Sequence, residues 1–430
     1  MRTQSLFLGA ALAVSAPAFA LEDLRQFNPA MSVIFDGLYY HDTASGEGPE
    51  ILEEHDSVLH AHGAHDEHGH GELARGFNLR ETEITLSGSV DAYFDAWLSA
   101  ALSEDGIELE EAWLQSRSLP AGLQVKAGKF LSGFGYHNEK HPHSWDFVDQ
   151  NLAYLSLLGD HGLSGKGAQL TWLAPTDTFV QFGAEILQGD ELERFGMTVD
   201  AEHIAEEISE LIDPAPPVTE EELNLSEQSG PQLGIAFVRI GPDLGTDYGL
   251  QLGLSAAQRR NAQSFHEEDG TDAFVAEGDA ELYGAQAIFK RFATGAYGKG
   301  GYSLQAEYLR YESDQTATFH TDPLELGLPL RMQQDAAYVQ GAWTFAPRWQ
   351  VGVRTAAAGI DGELREGDET IRTGISRQHS AALTWNASEF SRLRLQVNRN
   401  DIATDDGREG FNQVMLQYNL SLGAHGAHSF

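Results

Sequence analysis

The chain has 430 residues, 65 Asp+Glu against 27 Lys+Arg, a formal net charge of −38, 45 Gly and no Cys. So acidic a protein lacks the basic footprint that nucleic-acid binding requires. The absence of Cys excludes a disulfide scaffold, a Cys-ligated zinc site and a thiol nucleophile.

Residues 1–20 read as a secretory signal peptide. Arg2 supplies the positive start, Leu6 to Val14 an apolar run too short to span a bilayer, and Ala18-Phe19-Ala20 the small-x-small cleavage pattern. No later apolar run is long enough for a membrane helix. The exported part, 21–430, is therefore either soluble or a membrane β-barrel.

Period-two alternation along the whole chain selects the barrel, since that is the spanning-strand signature. Sixteen segments carry it: 31–41, 79–88, 92–103, 107–117, 122–130, 165–173, 178–187, 231–240, 246–258, 279–290, 299–313, 333–345, 349–358, 374–385, 391–402 and 410–422. The last is the clearest: Val414, Leu416, Tyr418, Leu420 and Leu422 alternate with Met415, Gln417, Asn419 and Ser421. Short links such as 119–122, 174–177, 346–348 and 386–389 alternate with long ones at 42–78, 131–164, 188–230, 259–278, 314–332 and 359–373. The predicted fold class is thus all-β: a transmembrane antiparallel β-barrel with periplasmic turns and long external loops. The short link 104–106 departs from the alternation. Tyr39, Tyr40, Trp113, Trp172, Trp343, Trp349 and Trp385 lie near strand ends and suit interfacial girdles.

A lumen this wide is not filled by wall side chains alone. The expected pore-lining set is Glu81, Glu83, Glu108, Glu110 and Glu307 on some staves, with Lys126, Arg354, Arg392 and Arg394 on others. Opposed acidic and basic walls would set a transverse field across the pore. The loops are acidic. Loop 42–78 carries acids from Asp42 to Glu72 against Arg75 alone, and loop 188–230 carries acids from Asp190 to Glu227 against Arg194 alone. Such a mouth favours cations. Within 200–213, Ile204, Ile208, Leu211 and Ile212 have helical spacing, which predicts a short amphipathic helix over the mouth.

Two histidine clusters carry metal chemistry. His55, His60, His62, His65, His68 and His70 are interleaved with Asp56, Asp66 and Glu67 in a glycine-containing tract, the pattern of a loose chelator. His137, Glu139, His141 and His143 form a tighter group that opens loop 131–164, with His161 on the far side. Imidazole with carboxylate suits Zn, Cu, Ni or Fe. By analogy with sixteen-strand porins, whose third external loop folds inward, this loop would line a constriction. His425 and His428 would face the periplasm.

The segments "FNPAMSVIFDG" from Phe27, "KAGKFLSGFGYHNEKHPHSWDF", "LTWLAPTD" and the tail "LGAHGAHSF" resemble a family of proteobacterial porin-like outer-membrane proteins. Its members are often labelled zinc-regulated TonB-dependent outer-membrane receptors, and the chain is also similar to phosphate-selective-porin-like barrels. The resemblance runs over most of 21–430 and is weakest in loops 42–78 and 188–230. It implies expression under zinc limitation and a role in entry of zinc or a zinc chelate. Terminal Phe430 resembles the aromatic end read by the barrel-assembly machinery. A TonB-dependent transporter carries an N-terminal plug and a barrel of about 22 strands. Here the first strand follows soon after Ala20, so a plug-less, passive porin is expected.

Together these readings predict a porin-like channel in the bacterial outer membrane, passive and cation-favouring. It would act in ion transport linked to zinc uptake. The competing reading is a surface metal-binding receptor anchored by a non-conducting barrel. No cofactor is required, and Zn2+ binding is expected at the histidines. Partners are outer-membrane lipid, the assembly machinery, metal ions or chelates and, as in sixteen-strand porins generally, a homotrimer. No G-x-S-x-G elbow occurs and no spacing ties a Ser to a His, so no enzyme is expected.

Overall fold

The computed structural model describes residues 29–53, 59, 73–103, 106–212, 216–268, 272–367, 369–404 and 407–423. The signal-peptide segment, His55, His60, His62, His65, His68, His70, His425, His428 and Phe430 lie outside the described residues.

One antiparallel sheet closes on itself. Its wall strands are β1 (Ala30–Asp42), β2 (Gly76–Ser89), β3 (Phe94–Leu102), β4 (Ile107–Ser116), β5 (Leu123–Leu131), β6 (Ser164–Leu173), β7 (Phe179–Leu187) and β8 (Leu233–Gly241). They continue as β9 (Tyr248–Glu268), β10 (Asp272–Arg291), β11 (Tyr302–His320), β12 (Pro329–Ala346), β13 (Trp349–Ala358), β14 (Ser376–Asn386), β15 (Ser391–Thr404) and β16 (Gly407–Gly423). A small hairpin, Glu363–Glu366 with Glu369–Arg372, sits in the loop between β13 and β14. The barrel is a closed 16-strand cylinder, sealed by β1 against β16 in a register that sets Phe35 opposite Leu420 and Tyr39 opposite Leu416. Closure leaves no strand edge unpaired within lipid, which is why strands can cross a bilayer.

The pleat explains which residues look where. Along β16, Val414, Leu416, Tyr418 and Leu422 face outward and are exposed, whereas Met415, Gln417, Asn419 and Ser421 are buried inside. The same outward band includes Leu254, Leu304, Val339, Val353, Leu395 and Val397. Among the described residues no helix is long and apolar enough to cross a membrane. Crossing is the work of the strands. Trp172, Trp343, Trp349 and Trp385 are exposed on the outside near the short turns, with Trp349 and Trp385 stacked at 6.2 Å. Tyr40 and Trp113 correct the girdle expectation. Tyr40 is inside, 1% exposed, with its hydroxyl accepting from Gln413 Nε2, and Trp113 lies under Lys126. Each falls on the inward phase of its strand.

The strands of the tall side outrun their expected bounds. Segments 259–278 and 314–332, expected as loops, are mostly the upper ends of β9 to β12. Their outer face carries Glu312, Asp314 and Arg331, so apolar alternation stops where lipid stops while hydrogen bonding continues. The link between β3 and β4 is indeed short, closed by Ser103 N donating to Gly106 O at 3.0 Å.

The helix expected near 200–213 forms as Ala201–Leu211, capped by Asp200, whose carboxylate accepts from Glu202 N and His203 N. It does not cover the mouth. Ile204, Ala205 and Ile208 pack with Phe265, Ala273 and Val275. After the β9 bulge at Asn261, those three positions point outward, opposite in phase to Phe274 and Ala276. The helix therefore caps the outer face of the protruding wall. Its loop crosses the upper edge of β9, which the short β8 leaves open: Gln263 N donates to Met197 O and Arg260 N to Gln232 O.

Candidate functional site

Loop 132–163 folds into the lumen. Its apolar residues Phe134, Phe147, Leu152, Tyr154, Leu157 and Leu163 are all at most 1% exposed, and all but Phe147 belong to the main core. The short helix Leu152–Leu158 begins at Asn151, whose side chain accepts from Tyr154 N. Its Ser156 hydroxyl accepts from Gln334 Nε2 on β12 at 2.7 Å.

Charged wall residues hold the loop by its backbone. On one side the holders are chiefly carboxylates, joined by Arg239, which donates to Gly133 O at 2.7 Å. Glu185 on β7 accepts from Gly133 N at 2.8 Å and from the Ser132 hydroxyl at 2.6 Å. Glu307 on β11 accepts from Tyr136 N, His137 N and the hydroxyls of Tyr154 and Tyr338, at 2.5–2.9 Å. Gly135 passes so close that an added Cβ would stand 2.1 Å from the Tyr154 hydroxyl, at φ +72°. On the other side the holders are arginines. Arg394 donates to Trp145 O and Phe147 O at 2.8 and 2.7 Å, and Arg392 to His143 O at 2.7 Å. Arg354 donates to Asp149 Oδ1 at 2.5 Å, and Arg80 to Val148 O at 2.7 Å.

A cavity of about 170 Å³ remains between this loop and the β1–β5 side. Acids Glu81, Glu108, Glu110, Asp149 and Asp160 line it with Arg80, Lys129 and Lys140. All nine residues expected at the pore therefore point inward. The expected transverse field does not cross open water, because the loop lies between the walls and consumes most of their charges. Lys126 lies over the Trp113 and Phe130 rings at 5.0 and 5.2 Å.

The structure divides the second histidine cluster. His141 and His143 come together, rings stacked at 5.8 Å, against Glu83, Glu110 and Glu111. Burial alone would depress His141, but those three carboxylates hold it well above the ordinary histidine value. His137 turns away. It meets Gln150 at 2.5 Å and the rings of Trp145, Tyr154 and Tyr338, and burial pushes it down to about 3. Glu139 pairs with Arg239 at 2.9 Å. His161 lies across the cavity, 3.3 Å from Glu193, whose carboxyl burial pushes up to about 7.

Glu111 is the residue that strict alternation misses. A β-bulge in β4 opposite Ser99 and Ala100 turns both Glu110 and Glu111 inward. The sequence does carry the signal: lipid-facing Ile107 and Leu109 are odd-numbered, whereas Ala112 and Leu114 are even.

No family model matches the chain. Among solved structures it is similar to the outer membrane channel DcaP of Acinetobacter baumannii. The TM-score is 0.51 at 11% identity, over 92% of this chain and 96% of that one. OprB of Pseudomonas putida gives a TM-score of 0.48 at 13% identity, over 94% and 96%. With its lipid-facing belt and inward third loop, the protein is an outer-membrane β-barrel of porin-like architecture. An uncharacterized protein of Aquifex aeolicus (strain VF5) is 34% identical over 413 residues, 94% of this chain and 81% of that protein. The chain belongs to the family of that protein.

Proposed function

We propose that the protein is a passive outer-membrane channel for small solutes, favouring cations and linked to zinc uptake. One observation carries this reading: the cavity beside the inward loop has five carboxylates against three lysine or arginine side chains along its wall. Apposed carboxylates in a narrow, poorly screened space raise the local cation concentration. The described part of loop 188–230 adds acid at the outer end. The zinc link, and the receptor label that goes with it, rest on the family resemblance and the histidines. Nothing in this reading requires a cofactor or a catalytic step. Export by a signal peptide, insertion by the assembly machinery and a trimeric state belong to the same proposal.

Conductance in planar bilayers tests it, with the reversal potential measured across a KCl gradient. A cation-selective current is expected, and an anion-selective one defeats the proposal. A second reading, the non-conducting anchored receptor, is favoured by the loop's attachment to opposite walls. It predicts no current from the wild type and current once the loop is released by Arg394→Ala.

A further inference from the structure

The loop's contacts at His141 and His143 differ in kind from its other anchors. Elsewhere a wall side chain meets a backbone group, a hydroxyl or an oppositely charged side chain of the loop. At His141 and His143 two imidazoles meet three carboxylates from two strands, and none of Glu83, Glu110 and Glu111 makes an ion pair with a lysine or arginine among the described residues. His141 Nδ1 lies 3.6 Å from Glu110 Oε2 and 3.9 Å from Glu83 Oε2, and His143 Nδ1 lies 2.7 Å from Glu83 Oε2. One ligand atom each from Glu83, Glu110 and His141 falls within 4.8 Å of the others.

The outer contacts already arrange these donors. Glu83 Oε1 accepts from the hydroxyls of Thr85 and Ser99 at 2.8 and 3.0 Å, so Oε2 is the oxygen turned to the imidazoles. Ser99 also lies 2.8 Å from Glu110 Oε2. His141 Nε2 lies 3.0 Å from Glu111 Oε2, the carboxylate–histidine contact that fixes the tautomer and aims the Nδ1 lone pair forward.

We propose that Glu83, Glu110 and His141 form a divalent transition-metal site, with Glu111 as the positioning residue behind His141. One imidazole nitrogen and two carboxylate oxygens without sulfur, with a position left for water, suit Zn2+, Co2+ or Ni2+ and not Ca2+ or Mg2+, which take six or more oxygens or retain their waters. Ligands at about 2.0–2.1 Å in a tetrahedron stand about 3.3 Å from one another, so the 3.6 and 3.9 Å separations of His141 Nδ1 from Glu110 and Glu83 need to close by about 0.3 and 0.6 Å. Bound metal would staple the 141–143 segment to β2 and β4. This deepens the channel reading only in fixing the loop that narrows the lumen, and metal binding stands apart from conduction.

Co2+ titration of the detergent-solubilised full chain tests the site by its visible absorption. The tract from His55 to His70 adds binding of its own, so the difference between variants is read. His141→Ala should abolish one equivalent of tight Co2+ binding, and Glu111→Gln should weaken that equivalent about 10–100-fold. Glu139→Gln should leave it unchanged. His141→Cys places the only thiol in the chain and should add a sulfur-to-cobalt charge-transfer band. An unchanged titration in His141→Ala with its barrel circular dichroism intact overturns the site, as does a Cys variant without that band. Failure of the channel reading shows separately, as absent current with the titration intact.

Discussion

The two walls that grip the inward loop differ in chemistry: one uses chiefly carboxylates, with Arg239 on Gly133 O, and the other arginines. Where the loop leaves β5, the segment 132–137 presents N–H groups to the wall, and Glu185 and Glu307 accept them. Where it crosses the far side, 143–148 presents carbonyls, and Arg80, Arg392 and Arg394 donate to them. A loop buried inside a barrel must find partners for its backbone, and charged partners make the stronger bonds. The paired signs in the lumen are thus first a device for holding the loop and only then a source of field.

That contrast can be broken from either side. Arg394→Ala should have the largest effect. It leaves two buried carbonyls without their donor, about 1–3 kcal/mol each. Thermal unfolding in detergent should shift downward, and protease should cut within 143–149. Glu307→Gln comes next, at about 2 kcal/mol, because the amide keeps one acceptor but opposes the remaining donors with its own N–H groups. Cleavage should then appear near 135 while 143–149 stays protected. If both variants expose the same bonds, the two walls do not act separately. Gly135→Ala should cost about 1–3 kcal/mol through positive φ and crowding of Tyr154, measured by the midpoint of unfolding. Arg392→Ala, which removes only the donor to His143 O, should cost about 1 kcal/mol on the same measurement.

Much of this was legible in the sequence, and the physics says which part. Each of the sixteen alternating segments corresponds to a wall strand, because a strand between lipid and water must alternate. The same reasoning hid the upper ends of β9 to β12, where Asp314 and Arg331 face outward and no lipid enforces apolar positions. His141 and His143 could be singled out by type and spacing. That His137 and Glu139 point elsewhere could not, since the path of a loop is fixed by distant partners such as Gln150 and Arg239. The helix over 201–211 was readable from its period, but its docking on the outer face depended on the bulge at Asn261 and on a shorter neighbouring strand.

The irregularity in β4 has a consequence for how this cylinder tolerates change. One extra residue sets the phase of everything on its outer side. With every residue kept but the strand regular, the stretch before Glu111 would rotate by half a pleat, presenting Glu108 and Glu110 to hydrocarbon while Ile107 and Leu109 turned to water. Lipid-facing charge is destabilising in proportion to depth. Deletion of the Glu110 codon, by contrast, would leave Ile107 and Leu109 on lipid and Glu108 and Glu111 in the lumen, so the cylinder should tolerate loss of the extra residue better than a flattening that keeps it.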